Sequence, residues 1–196
     1  MKRREFVKKV GIGSAAFVSL PSFAQALSRN ERGNDNDQLA ASGFRFVCVS
    51  QADGVEGMLP RTNMNGCGTF DSSEAEGGGS YDMFDQLSPV PRTLFSAGRW
   101  EARRVLRVNI IGTYGVLAAG TLEMEVRLHQ QIPFRADIPA TLRMACSIGA
   151  AGLDSGEEEG FTLNIPDGPF GPFRPFEPAP GVTQGITIFT TGEEED

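Results

Sequence analysis

A single histidine, His129, is all the imidazole that 196 residues offer, and the three lysines all fall within the first nine positions. These two counts remove most nucleophilic and metal chemistry. A Ser-His-Asp triad would have to use His129, which lies on the polar side of an alternating stretch, and no Gly-x-Ser-x-Gly elbow accompanies it. One histidine cannot furnish a histidine-rich zinc or copper site. With no lysine beyond residue 9, Schiff-base chemistry and a P-loop are excluded as well.

Carboxylate chemistry remains. Glu123 and Glu125 share one face of a predicted strand, about 6.6 Å apart at the usual rise per residue. Paired carboxylates in glycoside hydrolases are separated by a similar distance. The same spacing arises on an ordinary solvated strand face, here relieved by Arg127 and by Arg103 and Arg107 on the preceding strand. Asp154, Glu157, Glu158 and Glu159 surround an acidic turn. Calcium takes its ligands from clustered oxygens, so calcium is the cation this loop suggests, although no EF-hand spacing is present. A solvated acidic loop is the plainer reading.

Three cysteines, Cys48, Cys67 and Cys146, carry no metal-binding spacing. Cys48 and Cys67 fall on consecutive predicted strands, which favours a bridge between them in an oxidising compartment. Such a loop closure would contribute about 3 kcal/mol. The alternative is three small buried hydrophobes.

Residues 168–181 read GPFGPFRPFEPAPG, with a Pro-Phe pair every third residue. A polyproline II segment has three residues per turn, so Phe170, Phe173 and Phe176 are expected to line up on one side. The stripe then either covers the protein's own sheet, blocking an edge, or docks on a partner or ligand.

The elements that must hold these groups are strands. FRFVCVS (44–50), RTNMNGCGTF (61–70), RWEARRVLRVNII (99–111), GTLEMEVRLHQ (120–130), ATLRMACSI (140–148), FTLNI (161–165) and GITIFTT (185–191) all follow a period of two. In 120–130, Leu122, Met124, Val126 and Leu128 face one way, while Thr121, Glu123, Glu125, Arg127 and His129 face the other. In 99–111 the alternation puts Trp100, Ala102, Arg104, Leu106, Val108 and Ile110 together. Residues 71–80 (DSSEAEGGGS) read as a loop, and Gly112 to Gly120 as the turn and flanks of a hairpin. One wet and one dry face per strand is the mark of antiparallel sheets. The expected fold is all-β, a single antiparallel β-sandwich, with a small closed β-barrel as the runner-up.

The N-terminus reads as an address. A basic start precedes a short apolar run, Val10 to Leu20, and a small-x-small site at Ala24-Gln25-Ala26. That is the form of a secretory signal peptide, too short to span a bilayer. Lys2-Arg3-Arg4-Glu5-Phe6-Val7-Lys8 resembles a twin-arginine export signal in its arginine pair, its Phe and its following Lys. Lys2 stands where Ser or Thr is usual, and Val7 where Leu is usual. The resemblance implies a prokaryotic protein that folds before export to the periplasm or beyond. No cysteine follows the cleavage site to carry a lipid, and no later stretch reads as an integral membrane anchor.

Residues 1–26 are therefore expected to be signal, 27–42 a flexible polar leader, 43–191 the all-β domain and 192–196 an acidic tail. The signal holds five of the 18 basic and one of the 25 acidic residues, so the remainder carries 13 basic and 24 acidic, a net charge of −11. Its cations are all arginine. This balance disfavours nucleic-acid binding and repels anionic lipid. The sequence thus points to an exported, soluble binding or structural module whose partner is a protein or a small ligand. The competing function is a cofactor-free enzyme using Glu123 and Glu125 in a sheet-face cleft or barrel cavity.

Overall fold

The computed structural model describes residues 43–54, 60–166, 168, 172–179 and 182–192. The signal, the leader and the acidic tail lie outside them, apart from Gly192. The strands are β1 (Phe44–Asp53), β2 (Arg61–Phe70), β3 (Ala75–Phe84), β4 (Leu94–Tyr114), β5 (Leu117–Ile132), β6 (Ala136–Cys146), β7 (Gly160–Asn164), β8 (Arg174–Pro175) and β9 (Gly185–Thr191). One short helix, α1 (Gly149–Asp154), joins β6 to β7. The fold is all-β, as the alternation requires. Among the described residues no helix is long and apolar enough to cross a membrane.

All nine strands belong to one hydrogen-bonded sheet, and every pairing is antiparallel. The path β1–β2–β3–β4–β5 returns to its start, because β9 pairs with β1 along its length and with Leu117 and Ala118 of β5. From β5 the sheet continues through β6 to β7. At one end Gly192 N–H donates to Gly43 O at 3.1 Å, and Thr191 N–H to Val116 O at 2.9 Å.

The inward faces make one filled core. Leu122, Met124, Val126 and Leu128 of β5 are buried, facing Phe44, Phe46, Trp100, Leu142, Met144, Phe161 and Phe189. Aromatic pairs tie the strands: the Phe44 and Phe70 rings stack at 5.3 Å, and Phe70 meets Phe189 edge-on at 5.1 Å. Trp100 lies against Gly66, where any Cβ would collide with the indole, and its Nε1–H donates to Asn65 O at 2.9 Å. Gly66 thus makes the room that a large ring needs on a crowded inner face.

Two sequence expectations are corrected. The glycine-rich run read as a loop at 71–80 is largely strand: β3 starts at Ala75 and pairs with both β2 and β4. Pairing on both sides holds Gly78 and Gly79 in a conformation for which glycine has little preference of its own. The strict alternation expected of 99–111 also fails. β4 carries extra residues at Arg103, Leu106 and Ile111 relative to β5. Each bulge shifts the phase by one. Val105 and Val108 consequently pack on the core, while Arg104 and Leu106 are exposed. Without the first bulge Arg104 would point inward, an uncompensated buried charge.

Candidate functional site

The bulges line up arginines along the outer face of β4, opposite the polar face of β5. Across this face the register sets Arg107 and Arg143 beside Glu123, Arg104 and Thr141 beside Glu125, and Glu101 beside Arg127. Arg104 forms a forked pair with Glu125, its Nη2 at 2.5 Å. Arg103 reaches Glu101 at 3.0 Å, and Arg127 reaches Asp137 at 4.0 Å. A shallow depression of 640 Å³ lies beside Arg103, Glu125, Arg127 and Thr141, but Glu123 does not line it. The two glutamates therefore do not converge on one cavity.

His129 completes the row. Its Nδ1 is 2.8 Å from Asp137 Oδ1 on β6 and its Nε2 is 3.1 Å from Glu101 Oε2 on β4. Two carboxylates, one on each ring nitrogen, favour the doubly protonated ring. The hydrogen bond to Glu101, then that to Asp137, raises its pKa above the ordinary value. The group bridges three strands on an exposed face, and among the described residues its ring bonds are to Asp137 and Glu101.

The acidic turn does not gather. Glu157 pairs with Arg143 at 2.7 Å, Glu159 Oε1 accepts from Thr187 N–H at 3.4 Å, and Asp154 ends α1 while Glu158 is exposed. Among the described residues no three of His, Cys, Asp and Glu are placed to hold a metal ion. Of the expected calcium loop of Asp154, Glu157, Glu158 and Glu159, the Glu157 and Glu159 carboxylates are thus turned to separate partners.

Cys48 and Cys67, expected as a bridge, are not joined in this structure. All three thiols are free. The register sets Cys67 opposite Val47, not Cys48, so the two cysteines project from opposite faces of the sheet. Cys48 is buried beside Thr187 Oγ1, and burial pushes its thiol up to about 11. Cys146 is buried as well, whereas Cys67 is exposed.

Of the phenylalanine stripe, Phe170 lies outside the described residues. Phe173 and Phe176 do not share a side. Phe173 exchanges two backbone hydrogen bonds with Leu163, and Pro175 and Arg174 pair with Ala52 and Asp53 of β1. The chain there is a strand with a period of two, so residues three apart face opposite ways. Phe173 is wholly buried in the core, which removes it from any contact surface. Phe176 is half-buried beneath the Arg61 guanidinium, outside the sheet.

A further concavity is one that the sequence did not single out. Pro133 supplies no N–H, and pairing of β5 with β6 begins only at Gln130 and Ala136. The ends of β3, β4, β5 and β6 and the segment after β7 splay there around a cleft of 360 Å³. Met83, Phe95, Leu128, Ile138 and Ile165 form its walls, and Phe134, 68% exposed, stands at its rim. Its polar lining is sparse. Gln130 donates its side-chain amide to Ile132 O at 2.8 Å, and Ser96 Oγ lies 3.2 Å from the buried hydroxyl of Tyr81. The only hint in the sequence was Pro133-Phe134, an aromatic group in a turn.

No protein-family model matches the chain, and neither a curated protein nor a solved structure matches it.

Proposed function

We propose that this chain is an exported all-β binding module and that the apolar cleft between β4, β5, β6 and the segment after β7 is its ligand site. The observation that carries this reading is the cleft itself. Its 360 Å³ falls within the ~300–1,000 Å³ of small-molecule sites, and apolar walls with a few placed polar atoms are the usual lining. Glu125 is taken up by Arg104 and stands apart from Glu123, so the carboxylates support binding over hydrolysis. Saturable binding of N-phenyl-1-naphthylamine to the folded chain, weakened by Phe134→Ser, is the expected result; no saturable binding rejects the site. Export is tested separately. Arg3→Lys with Arg4→Lys should leave the precursor in the cytoplasm, and normal export of that variant refutes the twin-arginine route.

A further inference from the structure

Resting on that reading of the cleft, we propose that its ligand is an uncharged, mainly apolar molecule carrying one hydrogen-bond acceptor, a carbonyl or ether oxygen, which Ser96 receives as a donor. Two hydroxyls 3.2 Å apart, Tyr81 and Ser96, hold two protons between them, and their contact uses one. Tyr81 is 3% exposed and does not line the cleft, whereas Ser96 does. If Ser96 were the donor, the phenolic proton would be left buried without an acceptor. The reverse arrangement avoids that penalty: Tyr81 donates to Ser96 Oγ, and the serine proton turns toward the cleft. The phenol has no other hydrogen-bond partner among the described residues, nor has the serine hydroxyl.

The rest of the lining sets the class of ligand. Among the described residues it contains no ionisable side chain, so nothing described there would pair with a charged ligand. Gln130, the other polar side chain among the described lining residues, commits one amide N–H to Ile132 O on the exposed side. The Ser96 hydroxyl, set in a mainly apolar lining, selects an acceptor on an apolar body.

Two probes of one shape separate this inference from the reading beneath it. 2-Acetylnaphthalene and 2-isopropenylnaphthalene differ only in an oxygen exchanged for a methylene. Both should bind the full chain. Ser96→Ala should weaken the ketone roughly 3- to 10-fold, as for loss of one neutral hydrogen bond, and leave the hydrocarbon unchanged or tighter. Tyr81→Phe, which does not touch the cleft, should weaken the ketone alone and by less, because it frees the serine hydroxyl to rotate. Equal changes for both probes, or none, overturn the assignment of Ser96 while the binding site stands. Failure of both probes to bind the wild-type chain overturns the site itself. Thermal melts of both variants, read beside hydrocarbon binding, show that the cleft is intact.

Discussion

Arg61 caps the ring of Phe176 with its guanidinium carbon 3.3 Å from the ring centroid, and the same guanidinium grips Asp53 through Nε at 2.8 Å and Nη2 at 3.3 Å. Gln86 accepts a further hydrogen bond from Nη2 at 2.8 Å. One side chain thus fastens the segment after β8 to β1, β2 and the loop beyond β3.

Arg61→Lys keeps the charge but loses the fork and the stacking plane. A cation over a ring and a forked ion pair that is largely shielded together suggest a loss of about 1–3 kcal/mol. In a domain of this size each kcal/mol moves the melting temperature by roughly 2–4 °C. A variant that melts like the wild type would show that Phe173 and the backbone pairing with Leu163 and β1 hold the segment without Arg61.

His129 should titrate above its ordinary value of 6.5, as followed by the one histidine signal in a proton or nitrogen spectrum. Glu101→Gln and Asp137→Asn should each bring the midpoint down, the first by more. The folded value is raised, so the stabilisation is complete below pH 6.5 and fades as the pH rises through the folded midpoint. The ring is 36% exposed, so the effect on stability is small and shrinks with added salt. A midpoint at or below 6.5 would show that the two carboxylates do not hold the ring.

One thiol of three should react with a water-soluble disulfide reagent in the native state. Cys67 is exposed, while Cys48 and Cys146 are buried and both are pushed above the ordinary thiol range chiefly by burial. The other two should respond only on unfolding. Mass mapping that finds Cys48 or Cys146 labelled in the folded protein would contradict the inward placement of these residues.

The two faces of β5 should answer differently to truncation. Met124 is fully buried, and Met124→Ala should cost roughly 2–5 kcal/mol in denaturant unfolding. Glu125 is exposed to solvent on one side of its pair with Arg104, and Glu125→Ala should cost less than about 1 kcal/mol. Comparable losses would show that the outer face is covered.

Where alternation was uninterrupted, the sequence alone was enough. Leu122, Met124, Val126 and Leu128 point inward as read, and so do Leu142, Met144 and Cys146. A period of two needs only a hydrophobic and a polar side to announce itself. Where a residue is inserted the pattern breaks locally, and nothing in RRVLR says whether Arg103 or Arg104 is the extra one; the partner strand decides. β3 was hidden because glycines give no side-chain signal, and their pairing with β2 and β4 is a long-range fact. The cleft was hidden for the same reason. Ser96 and Tyr81 are 15 residues apart, Ile165 follows β7, and their meeting depends on how several strand ends splay. Period also misled: three-residue spacing in 168–181 suggested one face, but backbone pairing with Leu163 and β1 imposed a period of two.

The hydrogen bond between Gly192 and Gly43 makes the domain nearly a loop in the covalent sense. A few glycine and serine residues would join residue 192 to residue 43 with little closure entropy, and new ends could be opened at the exposed Gly115-Val116 turn. The consequence is also one of attachment. Both ends leave from the pole where β5 begins, and the cleft lies at the pole where β5 finishes. A carrier, a surface or a neighbouring domain joined directly at residue 43 or 192 is therefore attached at the pole away from the cleft.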